Sequence, residues 1–199
     1  DATSYFIDQG DHMLVAVQMQ GTSSADIREA GAWLLSLLYA QQSDTTEVTK
    51  LLVTIAEDCA HENKVFTACL FALSQLLSEN TVTVVKESRL LSLLCEIMLS
   101  SENVMACNVA CVCCHVLIDL DIEINADVFS CVCAMMQRYR SEDSTAVVCV
   151  AYTLCGKMMS KSNLWNAQPL ISSILNAFNS SILLVMGPNI SYAIFEIMC

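Results

Sequence analysis

A short tag returns at even intervals along this chain: His61-Glu62-Asn63, then Ser101-Glu102-Asn103, then Ser141-Glu142-Asp143. Its acidic residue falls at 62, 102 and 142, and an apolar run follows each copy. Self-similarity at about forty residues is the period of a two-helix unit, which buries its apolar face only by stacking on copies of itself. The regularity predicts an all-α protein of about five helix pairs. The repeats are placed at residues 1–42, 43–80, 81–121, 122–161 and 162–199.

Within those repeats, the 3.6-residue spacing of apolar side chains places the helices. The opening reads as two short pieces or one helix from Asp11, broken after it by Gly21-Thr22-Ser23-Ser24. A helix over 25–41 follows, its expected core stripe being Ile27, Ala30, Trp33, Leu34, Leu37 and Leu38. Asp44 and Glu47 have capping-box spacing, opening a helix to residue 59. Further helices are expected over 61–77, 85–99, 101–120, 126–139 and 142–159, with 78–83 and 121–125 as links. Pro169 suits the start of another over 166–178, and Gly187-Pro188 should interrupt a last one from 181. Second members of the pairs thus start near 24, 61, 101, 141 and 181.

Charge and composition exclude several classes of function. Nucleic-acid binding needs Lys and Arg to neutralise phosphates, whereas nine bases face twenty-one acids for a net charge of −12. Through Glu62 only Arg28 and Lys50 oppose ten acids. Direct contact with nucleic acid or an anionic membrane surface is therefore not expected; the acidity reads first as solubility for a greasy chain, and second as a field that would steer in a basic protein segment. Apolar residues reach 55%, but the greasiest run, 104–118, is short of the about 20 residues needed to span a bilayer and contains Asn108 and His115. Twelve cysteines lie inside helical apolar runs, where Cys acts as a small hydrophobe. That usage predicts a reducing compartment, cytoplasm or nucleus, rather than a disulfide framework. The apolar end at Ile194-Phe195-Glu196-Ile197-Met198-Cys199 and the start at Asp1 predict a fragment of a longer protein whose uncapped ends are open to self-association.

No catalytic constellation, Gly-rich phosphate loop or HExxH is present, so neither enzymatic activity nor a cofactor is expected. Cys107, Cys111 and Cys114 share a helix face and, with His115, give four potential zinc ligands. Their mid-helix placement favours buried thiols over a metal site; a zinc-stabilised module is the lesser alternative. Polar residues inside otherwise apolar second helices point to a binding groove: Gln75, Asn108, His115 and Tyr152. The methionines at 98, 105, 135, 136, 158 and 159 are expected mainly in the core.

Two-helix units of this length resemble the HEAT and armadillo superfamily, pattern for pattern over most of the chain. The resemblance implies a right-handed α–α superhelix, a solenoid whose second helices line a concave face and bind a partner's helix or peptide. One departure stands out. Armadillo proteins that bind extended basic peptides often carry an Asn ladder, but forty residues either side of Asn108 stand Ala68 and Val148. The expected function is a non-enzymatic protein-interaction scaffold, with a structural or self-association module as the alternative.

Overall fold

The computed structural model describes residues 11–21, 24–40, 42, 44–59, 63–122, 126–139 and 145–161. Every regular element among them is helical. None of those helices is long and apolar enough to cross a membrane. The expected helices over 166–178 and beyond 181 lie outside the described residues. The chain forms two compact units, residues 1–93 and 94–199.

The first unit contains α1 (Asp11–Gly21), α2 (Ala25–Tyr39), α3 (Thr46–Asp58) and α4 (Asn63–Leu76). A 3-10 turn (Glu79–Thr81) and a short α5 (Val82–Glu87) follow. The division between units falls inside α6 (Leu90–Ser100). Helix α3 shows how an amphipathic helix divides its faces. Val48, Leu51, Leu52, Ile55 and Ala56 are buried while Glu47, Lys50, Thr54 and Asp58 face water. Each such aliphatic burial contributes roughly 1.5–3 kcal/mol. Helix α4 packs against both α2 and α3, so Val65, Phe66, Ala68, Cys69, Leu70, Ala72 and Leu73 are all buried. Thr45 Oγ1 donates to the Leu76 carbonyl at 2.8 Å, tying the start of α3 to the end of α4.

Two local expectations are corrected here. The spacing of Asp44 and Glu47 does not produce a capping box. Asp44 Oδ1 accepts from Thr46 N at 3.0 Å, and Glu47 instead holds Lys50 Nζ at 2.8 Å. The single helix expected over 85–99 is two helices, and the expected link over 78–83 is largely helical. Ser88 makes the break: its hydroxyl donates to the Val85 carbonyl at 2.8 Å and accepts from Leu90 N at 3.3 Å. Glu57 Oε1, reaching from α3, accepts from Arg89 N at 2.7 Å at the start of α6. An anionic acceptor there suits the exposed amides of a helix N-terminus.

The second unit holds the rest of α6, α7 (Val104–Asp119), α8 (Ala126–Arg138) and α9 (Thr145–Lys161). The recurring tag finds its physical meaning at α7. Asn103, its third residue, is the N-cap: its Oδ1 accepts from Met105 N at 3.0 Å and Ala106 N at 3.2 Å. At the other end Asp121 has φ 54°. Ile122 N bonds the Leu117 carbonyl and Asp121 N the Ile118 carbonyl, a Schellman ending. Helix α9 packs on α7 and on α8. Arg138 closes α8 onto α6, donating to the Met98 carbonyl at 2.6 Å and to the Leu99 carbonyl. Tyr139 OH donates to the Ser101 carbonyl at 2.8 Å beside it. Met98, Met135, Met136 and Met158 are buried as expected, whereas Met105 is exposed.

Candidate functional site

Helix α2 carries more apolar surface than its neighbours cover. Gly31, Ala32, Leu35 and Leu38 turn inward. A Cβ on Gly31 would sit 2.4 Å from Met19 Cγ, so the absence of a side chain lets α1 and α2 approach. Most of the stripe that reads as core in the sequence faces the other way: Ile27, Leu34 and Leu37 are 45%, 43% and 72% exposed. Small residues at 31 and 32 gave the inner face to close helix contact and left the larger aliphatics outside. Beside them Trp33 stacks on Phe71 of α4, ring centroids 4.6 Å apart at 45°. Gln75, one turn beyond Phe71 on the same helix face, is exposed.

Helix α2 itself turns acid rather than base outward. Asp26 is exposed and Glu29 half-exposed on α2. Arg28, between them, is turned inward: its Nε donates to the Met19 carbonyl at 3.3 Å and a terminal nitrogen to Cys59 Sγ at 2.9 Å. Its charge is thereby spent on holding α2 to α1 and α3. Sequence reasoning placed Ile27, Leu34 and Leu37 in a helix stripe and missed their exposure. The adjacent small residues Gly31 and Ala32 were the available signal.

In the second unit Asn108, Val112, His115 and Asp119 run along one partly exposed face of α7. Lys157 of α9 meets that face. Its Nζ lies 3.0 Å from His115 Nδ1 and 3.4 Å from the His115 carbonyl, and forms an ion pair with Asp119. Lys157 is the donor, so Nδ1 accepts and the ring proton sits on Nε2. Burial lowers the His115 pKa first, the Lys157 charge lowers it further, and Asp119 opposes both. Among the described residues Asn108 Oδ1 is buried with no hydrogen-bond partner. Tyr152 is 3% exposed and offers almost no surface of its own. Of the four polar pointers, then, Asn108 and His115 share one face of one helix, Tyr152 is interior, and Gln75 belongs to the first unit.

The cysteines of α7 each face something different. Cys107 Sγ lies 3.6 Å from Tyr139 OH and from the Ile97 carbonyl. Cys111 Sγ lies 3.9 Å from both Met98 Sδ and Met135 Sδ. Burial pushes the Cys111 and Cys114 thiols well up, away from the thiolate that metal binding and nucleophilic attack require. His115 looks outward to Lys157 while Cys111 and Cys114 are fully buried. Among the described residues no group of three or more His, Cys, Asp or Glu is placed to hold a metal ion. None of the ten cysteines whose side chains are described forms a disulfide.

Comparison with protein-family profiles, curated proteins and solved structures found no match to this chain. Its class, an all-helical protein across the described residues, is defined by its own elements.

Proposed function

We propose that this chain is a non-enzymatic protein-interaction scaffold, an armadillo- or HEAT-like right-handed solenoid of about five helix pairs. It binds the helix or peptide of a partner along the face of its second helices. The observation that carries the reading is the uncovered row Ile27, Leu34 and Leu37 on α2, beside the Trp33–Phe71 pair and Gln75. Covering each of those side chains is worth roughly 1–2 kcal/mol, and aromatic neighbours are common anchors at interfaces. The solenoid arrangement is supported by α2 packing on α4 and α7 on α9, each an equivalent helix one period away.

The partner's chemistry follows from the rim. With Arg28 turned inward and Lys50 engaged by Glu47, Asp26 and Glu29 set the field beside the apolar row. An amphipathic helix with aliphatic anchors and a basic flank fits it. Fluorescence anisotropy with a labelled helical peptide of that design tests the proposal. Leu34→Asp with Leu37→Asp should weaken binding about tenfold or more, and a peptide with Glu replacing its Lys residues should also bind more weakly. Equal affinity for a folded double variant would remove the α2 face from the account.

The self-association alternative has its own supporting observation. Met13, Leu14 and Val17 of α1 are exposed. Met13 and Val17 border a cavity of about 180 Å³ lined also by Leu35, Tyr39, Val48 and Leu51. A concentration-dependent mass by analytical ultracentrifugation, abolished by Val17→Glu, would support that reading over peptide capture.

A further inference from the structure

The cavity of the first unit has a floor and a rim of different chemistry. Helix α1 packs on α2 and touches α3, and all three line the space. Leu35 of α2 with Val48 and Leu51 of α3 are the buried part of that lining. Gln20 of α1, Tyr39 of α2 and Glu47 of α3 bring the polar side chains. Gln20 and Glu47 are exposed and Tyr39 is half-exposed, so the polar groups stand at the rim.

Size and charge select the occupant. The volume is about 180 Å³, and apolar protein cavities of about 150 Å³ accept a single benzene-sized ring. Drug-sized ligands occupy roughly 300 Å³ or more, so one ring with a short chain fits and a fused ring system does not. Among the lining residues Glu47 alone is charged. Lys50 engages one of its oxygens, Oε1, at 2.8 Å, and a carboxylate has two. Burial, and after it the charge of Asp44, raises the Tyr39 pKa, so the phenol stays a neutral hydroxyl. Hydroxyl, amide and carboxylate oxygens are all acceptors for an ammonium group. An anionic ligand would instead meet Glu47 and the neighbouring Asp44 with like charge.

We propose that this cavity binds a small arylalkylamine, its ring against Leu35, Val48 and Leu51 and its ammonium among Gln20, Tyr39 and Glu47. Burial of the ring supplies the affinity, and the ammonium sets orientation and selects against acids. The site includes none of Ile27, Leu34 and Leu37. It therefore does not depend on peptide binding at the exposed α2 row.

The test is a methyl carbon–proton NMR titration of the whole chain with phenethylamine, beside phenethyl alcohol and phenylacetate as its neutral and anionic matches. The amine should saturate with a Kd of about a millimolar. It should move the methyls of Val17, Leu35, Val48 and Leu51 and leave Ile27 and Leu37 in place. Phenylacetate should bind more weakly than the amine. Glu47→Gln should weaken the amine by about two- to fivefold, the range of an exposed ion pair, and leave the alcohol unchanged. Ala16, half-exposed on α1, also lines the cavity, so Ala16→Phe should fill it and abolish the shifts in a chain that circular dichroism shows to be folded. Should that variant not fold, Glu47→Gln at the surface still decides. Absence of shifts at the four methyls, equal affinity for amine and phenylacetate, or undiminished binding by folded Ala16→Phe would overturn the proposal. Self-association through α1 that closes the mouth would appear as the first of these.

Discussion

His115 lies between a cation from α9 and an anion one turn along its own helix, and the cation prevails together with burial. Its folded pKa is below the ordinary value of 6.5, so on acidification the unfolded chain takes up the proton first. The His115 contribution to stability is therefore full above the unfolded value and is lost as pH falls through it toward the folded one. Urea unfolding across that window should show stability dropping on the acid side, and His115→Gln should flatten that part of the profile. An unchanged or rising profile in the wild type would contradict the Lys157–His115 geometry. Asn108 makes a second prediction at this scale. Its buried, unpartnered Oδ1 carries a desolvation cost of about 1–3 kcal/mol. Asn108→Leu should consequently stabilise the fold in urea melts, by about 1 kcal/mol. Destabilisation would mean that the oxygen is satisfied after all.

At the scale of elements, helix ends were where the sequence was read least well. Helix existence and type follow largely from apolar periodicity, although a 3-10 turn and the start of α5 fall inside the expected link over 78–83. Caps depend on which side chain wins a local competition. Asp44 with Glu47 resembles a capping box, yet Lys50 lies within reach of Glu47 and takes it. Ser88 breaks α5 from α6 because its hydroxyl serves both flanking turns, and a lone Ser between apolar runs does not announce that role. The face of α2 was misread for a related reason: periodicity finds two apolar stripes there, and close packing at Gly31 decides which is buried. Asn103 belongs with these: the tag was visible as a repeat, but its role as the N-cap of α7 came only with the structure.

The bridge from Arg138 to the end of α6 offers a test at the same scale. Arg138→Met keeps the aliphatic stem but removes the donors to the Met98 and Leu99 carbonyls. Thermal or urea unfolding should register a loss of about 1 kcal/mol, typical of a charged group at a helix C-terminus. A fully neutral substitution would show that water replaces the guanidinium there without cost.

Across the whole molecule, the net charge of −12 and the forty-residue period act on different things. On the proposed reading the period would set how helices pair, since a single pair has too little core to stand alone. The charge would steer basic segments toward the chain, and the apolar row of α2 would be where such a segment settles. The measurement that bears on this most directly is a methyl carbon–proton NMR titration of the chain with the basic amphipathic peptide. The account predicts shifts at Ile27, Leu34 and Leu37, with Met13, Leu14 and Val17 unmoved. Shifts confined to the α1 methyls, or none at saturating peptide, would contradict it.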